Sequence, residues 1–239
     1  MTDIERLSRE YRSSRSLGSR LGEIEPPRSH RAGEALRTAV RECVGPAISI
    51  GGGPLRVDPR FVNLNLAPFP NVDLVGDAHC LPISAASVGL IHCEAVLEHL
   101  EQPDRAVSEM LRVLRPGGYV FAATPFLQVF HGYPDHFQNF TLAGHCALFV
   151  RSGFEVVDSG ACVGPAFALV DLVSNWAREH LPGRILSRLA WLGIRLVGRA
   201  FVQLDRVLLR SAAAHVLAST TFVLARKPRR RHEGGELEA

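Results

Sequence analysis

The sequence predicts an α/β protein with a mostly parallel sheet and helices on both of its faces. Two observations support that fold class. A short apolar run, 47–50, ends at three consecutive glycines, Gly51, Gly52 and Gly53, as a buried parallel strand does when it meets a turn. Further along the chain, strand-like runs alternate with amphipathic helical stretches, and this order favours parallel strands joined by helical crossovers.

Each strand is predicted from a short apolar or β-branched run bounded by turn residues. The glycine turn at the carboxyl end of the first strand would let a ligand approach backbone N–H groups closely. The predicted strands are 47–50, 60–66, 71–76, 87–93, 119–123, 154–157 and 217–225.

Two helices are predicted from their apolar stripes and their end signals. The first, 31–43, follows a break at Pro26-Pro27. We interpret it as cover for the sheet edge, with a lid over a substrate site as the alternative. The second begins at Pro103, a favourable first helical position, and is stopped by Pro116-Gly117-Gly118.

A long segment of about 164–214 precedes the last strand, and we expect it to be a helical insertion. Placed on one helix, six of its arginines fall within about 80° of arc. Such a basic amphipathic stripe indicates contact with an anionic membrane or, in a homodimer, with a second subunit; a solvated face on packed helices is the alternative. The six are Arg184, Arg188, Arg195, Arg199, Arg206 and Arg210.

Composition bounds the domain count, the compartment and the class of partner. A chain of 239 residues can hold one large domain, and we expect a lead with a covering helix at 1–45, the main domain at 46–226 and a disordered tail at 227–239. The net charge of +3 argues against specific binding of nucleic acid. Five cysteines without a CxxC pair indicate a reducing compartment, with Cys80 and Cys93 as buried thiols. The N-terminus lacks an apolar signal core, which favours the cytoplasm.

An ordered set of four motifs resembles the class I S-adenosylmethionine-dependent methyltransferases, specifically their type 11 domains. The resemblance covers about residues 47–158 and implies a Rossmann-like, mostly parallel seven-stranded fold with S-adenosylmethionine as the cofactor. The motifs are the glycine turn 51–53, Asp77-Ala78 before Leu81-Pro82, the 95–99 turn AVLEH, and 114–118, LRPGG, before a strand.

The same resemblance implies which residues bind the cofactor. The glycines would let the backbone pass its methionine portion, position 65 would meet the ribose hydroxyls, and Asp77 would accept a hydrogen bond from the adenine amine. The implied cofactor-binding residues are Gly51, Gly52, Gly53, Asn65, Asp77, Ala78, Cys93 and Glu94.

The sequence departs from the family pattern around the glycine turn. Ser49 and Leu55 stand where an acid and a further glycine are usual, and the first crossover helix is almost absent. Asn65 replaces an acid and lacks the charge-assisted, bidentate grip on a diol, so we expect cofactor binding to be retained but weakened. A nicotinamide cofactor is disfavoured because Arg56 occupies the place of the third glycine in the dinucleotide fingerprint.

The loop after the fifth strand, 124–141, is the predicted acceptor site. His131 and His136 are candidate general bases for a substrate hydroxyl, with hydrogen bonds that hold the loop as the alternative. Together with Asp135 they suggest a metal, but their spacing does not place three ligands on one element, and no metal is predicted. Glu98-His99 is interpreted as a mainly structural turn.

The predicted function is methyl transfer from S-adenosylmethionine to a small-molecule, sugar-linked or lipid-linked acceptor, at oxygen. The departures at Ser49, Leu55 and Asn65 keep a second class open, a non-catalytic relative that binds a cofactor or a partner as a scaffold.

Overall fold

A computed structural model of the chain describes residues 23–53, 56, 58–132 and 135–229. Several sequence predictions concern residues outside these ranges. They are most of the N-terminal lead, the departure at Leu55, positions 133–134 of the predicted acceptor loop and all but the start of the C-terminal tail.

The seven strands form one sheet in the order β3-β2-β1-β4-β5-β7-β6. Strands β1 to β5 pair in parallel, whereas β7 is antiparallel to both β5 and β6. The predicted fold class, a mostly parallel seven-stranded α/β sheet, is therefore confirmed. The strands are β1 Ala47–Ile50, β2 Phe61–Asn65, β3 Leu74–Val75, β4 Val88–Glu94, β5 Leu114–Pro125, β6 Glu155–Val163 and β7 Thr220–Arg226.

Helices cover both faces of the sheet, as the alternation of strands and helices predicts. One face packs on α1 through Ala32, Ala35 and Ala39, and the other packs on α2 and α3. The helices are α1 His30–Glu42, α2 Pro103–Val113, α3 Leu142–Arg151, α4 Pro165–His180, α5 Arg184–Val202 and α6 Asp205–Leu208, with 3-10 turns at Leu97–His99 and Ala212–Val216.

Helix α3 was not among the predicted elements. Thr141 caps its N-terminus, because the Thr141 hydroxyl oxygen accepts the Gly144 N–H at 3.1 Å. Its own side chains Leu148 and Phe149 are fully buried in the core. The apolar residues of α3 form a weakly amphipathic pattern next to an irregular loop, so periodicity alone gives little signal.

The parallel register brings the carboxyl ends of the first strands to one edge of the sheet. Ile50 lies beside Leu64 on one side and Cys93 on the other, and Asn65 lies beside Val75. The residues that follow these strands therefore line a common crevice, which is where open α/β sheets bind ligands.

The segment between β6 and β7 is helical, as predicted, and Asp205 anchors it. This carboxylate is buried and accepts the backbone N–H groups of Ala166 and Phe167, both at 2.9 Å, at the N-terminus of α4. Gly164 is required there, because a Cβ would lie 2.3 Å from the Asp205 carboxyl carbon.

The prediction that six arginines share one exposed helix face is wrong. Helix α5 ends at Val202, so Arg206 and Arg210 lie beyond it. Arg195 points inward, where it is 9% exposed and pairs with Asp171 of α4 at 2.9 Å. Arg195 thus faces α4, whereas Arg184, Arg188 and Arg199 are exposed. Large apolar side chains of α5, among them Ile185 and Val197, are also exposed.

In the part of the chain that the structure describes, no helix is both long enough and apolar enough to cross a membrane.

Candidate active site

The glycine turn after β1 is shaped by close packing on one side and open space on the other. Gly51 has a φ of +75°, its N–H donates to the Leu64 carbonyl at 2.8 Å, and a Cβ there would lie 2.2 Å from Val96. Gly53 has a φ of +58°, and, its chain neighbours aside, no atom of the described residues lies within 4 Å of where its Cβ would be. Both positions favour glycine, and the open side at Gly53 can admit a ligand to the backbone.

Asn63 supports this turn from β2. Its amide nitrogen donates to the carbonyl oxygens of Gly53 and Asn71, both at 2.9 Å. Its amide oxygen is buried and has no hydrogen-bond partner among the described residues. A Cβ on Gly52 would lie 2.6 Å from that oxygen, so glycine is needed at 52 as well. The side chain of Asn63 thus holds the glycine turn by a hydrogen bond, whereas Asn65 lies at the end of β2, beside Val75.

Asn65 and Asp77 lie at the ends of neighbouring segments on this edge. The Asn65 amide oxygen accepts the Ala67 N–H at 3.2 Å, and its side chain is part-buried. The Asp77 carboxylate accepts the His79 N–H at 2.8 Å and contacts the His79 ring. Burial alone would raise the pKa of Asp77, but the hydrogen bonds from His79 outweigh it and lower the pKa. Asp77 is therefore an anionic acceptor at the rim, next to buried Ala78.

Cys93 and Glu94, at the end of β4, have different environments. The Cys93 side chain is 1% exposed within the core, and burial raises its pKa, so only its backbone could meet a ligand. Glu94 pairs with Arg28. Burial alone would raise the pKa of Glu94, but its contacts with His92 and Arg28 outweigh it and lower the pKa to about 2. Cys80, predicted as a second buried thiol, is exposed.

Ala95 follows directly and has a φ of +54°. This left-handed conformation is strained for a residue with a Cβ, and such strain is concentrated at functional sites. It turns the chain from the end of β4 into the short helix Leu97–His99.

A carboxylate and two imidazoles converge beyond this turn. Glu98 is completely buried, and its Oε2 accepts the Thr124 hydroxyl at 3.0 Å. Its Oε1 lies 3.8 Å from Nε2 of His99 and 4.0 Å from Nε2 of His131. Burial raises the pKa of Glu98 and lowers the pKa of both imidazoles.

The loop after β5 brings His131 to this place by folding back over the 97–99 turn. The Phe137 N–H donates to the Glu98 carbonyl at 2.9 Å, and the Gln138 amide donates to the Leu100 carbonyl at 2.9 Å. The acceptor loop predicted from the sequence therefore lies against the carboxyl ends of β4 and β5.

His136 has loop partners at both of its ring nitrogens. Nδ1 accepts the His131 N–H at 3.1 Å, and Nε2 donates to the Asn139 amide oxygen at 2.7 Å. These bonds favour a role in shaping the loop, and its assignment as a base stays a prediction. The ring of His131 instead presents Nε2 toward Glu98.

Sequence reasoning assigned Glu98 and His99 mainly to structure and did not single out Arg28. The contact between Glu98 and His131 joins residues 33 positions apart through an irregular loop, which no local pattern predicts. The sequence offered one signal for this contact. Glu98 follows the apolar Val96-Leu97, and a carboxylate buried there needs a partner.

Comparison with known proteins identifies the domain. Residues 55–122 match the family described as "Methyltransferase domain". A protein of Mycolicibacterium smegmatis named as a probable S-adenosylmethionine-dependent methyltransferase is 35% identical over 113 residues, which cover 44% of this chain and 44% of that protein. A malonyl-[acyl-carrier protein] O-methyltransferase of Methylococcus capsulatus is 47% identical over 51 residues, covering 21% of this chain and 18% of that protein.

The chain therefore spans less than half of the length of these relatives. Among solved structures, the [4+2]-cyclase SpnF superposes with a TM-score of 0.51 at 19% identity, over 83% of this chain and 80% of that one, which is evidence for the fold. The matched domain contains the Asp77-Ala78, AVLEH and LRPGG motifs. The sheet brings the first two to the edge where the glycine turn opens, whereas LRPGG lies at the opposite edge, at the start of β5. Residues 55–122 therefore contain a methyltransferase domain, and the chain is similar to S-adenosylmethionine-dependent methyltransferases.

Proposed function

We propose that this protein transfers the methyl group of S-adenosylmethionine to a hydroxyl oxygen of a small-molecule, sugar-linked or lipid-linked acceptor. The observation that carries the proposal is the shared edge of the sheet. It joins a glycine turn open to a ligand, an anionic rim at Asp77, and a proton-accepting cluster at Glu98 and His131.

The crevice residues fit the proposed cofactor. Gly53, open on its Cβ side, would face the methionine portion, and Asp77 would accept the adenine amine. Asn65 would meet the ribose with one acceptor and one donor in place of a carboxylate. Arg28, which pairs with Glu94, would close the crevice on the side of the N-terminal segment.

An oxygen acceptor is favoured because of the cluster beyond β4. The cofactor would supply a methyl group on a positively charged sulfur, and its transfer to a hydroxyl oxygen releases a proton. A proton acceptor beside the reacting oxygen would assist the transfer, and the described residues next to the crevice offer the buried Glu98 and the rings of His99 and His131, whose pKa values burial lowers. Proton acceptors held at a reacting centre contribute on the order of 10² to 10⁴ in rate.

The test is a transfer assay with an isotope-labelled methyl group on S-adenosylmethionine and a panel of hydroxylated sugars and lipid-linked alcohols. We expect labelled product together with S-adenosylhomocysteine. His131→Ala should lower the rate at least roughly tenfold without loss of cofactor binding. A folded chain that binds neither cofactor nor product would contradict the proposal and favour the scaffold alternative.

We also propose that the outer face of α4 and α5 contacts an anionic membrane surface. Both helices expose apolar side chains, among them Ile185 and Val197 on α5, which are 77% and 76% exposed, and Trp176 on α4. Helix α5 contains four arginines and no acidic residue, and exposed Arg184 and Arg188 flank the apolar face. Apolar side chains bordered by arginines suit lipid headgroups of negative charge, and such contact would suit a lipid-linked acceptor.

Co-sedimentation with vesicles of phosphatidylglycerol and phosphatidylcholine tests this surface. We expect binding at low salt that the double substitution Ile185→Glu/Val197→Glu abolishes. Val150→Glu, at an exposed apolar position on α3, is the matched control and should still bind. Dimerisation in ultracentrifugation without vesicle binding would assign the face to a second subunit and refute the membrane contact.

A further inference from the structure

The cluster of Glu98, His99 and His131 has an arrangement of hydrogen atoms that its hydrogen bonds define. The Nδ1 atom of His131 bonds to the Val129 carbonyl at 3.0 Å, and that of His99 bonds to the Asp135 carbonyl. A carbonyl oxygen can only accept, so Nδ1 carries the proton in both rings. In a neutral imidazole the other nitrogen, Nε2, then carries a lone pair.

Three lone pairs consequently face one another without a donor between them. They are those of His99 Nε2, His131 Nε2 and Glu98 Oε1, and all three atoms lie within 4.8 Å of one another. Glu98 is completely buried, and its Oε1 has no hydrogen-bond partner among the described residues. A buried carboxylate oxygen that faces only other acceptors is strongly unfavourable unless a positive charge joins them.

We propose that these three residues bind a divalent cation of the first transition series. Two imidazoles and one carboxylate form a ligand set found for such metals, with open positions left for water or substrate. The backbone carbonyls that hold each Nδ1–H fix the ring orientations, as partners of metal-binding histidines do. Mg²⁺ is disfavoured because it prefers oxygen ligands.

The distances suit a site that closes slightly on binding. Ligand atoms about 2.1 Å from one metal lie roughly 3.0–3.4 Å apart in octahedral or tetrahedral geometry. The separations of 3.8 and 4.0 Å from Glu98 Oε1 need only a small movement. His131 can provide it, because its side chain is 39% exposed and lies on a loop.

Thr124 and His136 hold the cluster from outside. The Thr124 hydroxyl donates a hydrogen bond to Oε2 of Glu98, which leaves Oε1 as the ligand atom. The His136 ring accepts the backbone N–H of His131 and packs 4.3 Å from its ring centroid. Both residues position ligands, and His136 is not itself a ligand because its two nitrogens are engaged.

The site deepens the proposed methyl transfer, on which its consequence rests. A cation held there would bind the acceptor oxygen and lower the pKa of its hydroxyl, so that solvent water could take the proton that Glu98 and His131 would accept in the metal-free chain. Acceptors with two adjacent oxygens would be preferred, because they can occupy two open positions.

The experiment is a titration of Co²⁺ into the full chain, stripped of metal by a chelator and without S-adenosylmethionine. We expect one equivalent to bind, with visible absorption bands of nitrogen and oxygen ligation, and Zn²⁺ but not Mg²⁺ to displace it. Glu98→Gln and His131→Ala should each weaken binding at least tenfold. His30→Ala, at an exposed histidine on α1, should leave binding unchanged.

Failure of wild-type protein to bind Co²⁺, or unchanged binding in His131→Ala, would overturn the site. His131→Ala keeps the test decisive if the buried Glu98→Gln variant fails to fold, since position 131 lies on a partly exposed loop. Because the titration omits the cofactor, a negative result is independent of whether the chain binds S-adenosylmethionine, and the two proposals can fail separately.

Discussion

Asn65 ends β2 with an amide on the crevice edge, where a carboxylate would hold a ribose diol more strongly. Its amide oxygen already accepts the Ala67 N–H at 3.2 Å. One lone pair of that oxygen and the amide NH₂ group therefore remain for a ligand. The backbone is fixed independently of the side chain, because the Asn65 carbonyl accepts the Gly76 N–H at 3.0 Å. A substitution here should therefore change affinity rather than the fold.

Asn65→Asp should tighten binding of S-adenosylmethionine by about fivefold, or about 1 kcal/mol, because charged acceptors form stronger hydrogen bonds than amides. Asn65→Ala should weaken binding, since no polar group replaces the amide. Calorimetric titration of the three proteins measures both changes. Equal affinity of the Asp and Asn proteins would show that position 65 does not meet the ribose.

Ser49, one of the departures from the family pattern, makes a polar contact inside the sheet. Ser49, where an acid is usual, is 2% exposed, and its hydroxyl lies 3.5 Å from the ring of His92 on β4. The polar contact at this point is made inside the sheet. Asn63 meanwhile supports the glycine turn through two carbonyl oxygens. The turn is therefore held by buried amide and hydroxyl groups.

At the scale of elements, the segment 23–29 joins the sheet to the helical insertion. The Ser29 N–H donates to the Cys162 carbonyl at 2.9 Å, and Arg28 bridges to Val163 at the end of β6. Ile24 is buried against Val170 and Val202 of α4 and α5. The segment reaches the end of β4 through the ion pair of Arg28 with Glu94, and a lid formed from the N-terminal segment stays a prediction.

The Glu94 carboxylate, through its contacts with His92 and Arg28, should make stability depend on acid pH. The pKa of Glu94 is about 2 in the folded protein against a usual 4.5, so its contribution is present above about pH 4.5 and is lost as the pH falls toward 2. Glu94→Gln should lower the free energy of unfolding at pH 7 by roughly 2 kcal/mol, allowing for partial exposure.

Urea unfolding of both proteins at pH 7, 5 and 3 measures this effect. The difference between wild type and Glu94→Gln should be similar at pH 7 and 5 and smaller at pH 3. A difference that does not shrink at pH 3 would show that the carboxylate charge of Glu94 does not stabilise the fold.

In the insertion, the helix was predicted correctly, but the side of it that faces solvent was not. The arginine spacing of α5 was interpreted as an exposed stripe, but Arg195 is buried beside Asp171 and its guanidinium lies 5.4 Å from the centre of the Trp191 ring. Helical periodicity identifies faces but not which face is covered. The covering element is the preceding helix, α4, whose Asp171 pairs with Arg195.

For the whole molecule, the sheet was predictable because most strands are local apolar runs, and the observed β1, β2 and β4 lie within one residue of the predicted bounds. The carboxyl edge followed from parallel topology. The Glu98 cluster did not, because it requires the loop after β5 to fold back over the 97–99 turn. That contact depends on hydrogen bonds such as Phe137 to Glu98, which tertiary structure alone creates.

We propose that the edge formed by Gly51–Gly53, Asn65 and Asp77 binds S-adenosylmethionine and its product. Titration of S-adenosylhomocysteine into the full chain by calorimetry tests it most directly. One-to-one binding is expected, weakened by Asp77→Ala and unaffected by Val150→Glu on α3. No heat of binding to a chain whose circular dichroism shows it folded, or binding that Asp77→Ala leaves unchanged, would contradict the assignment.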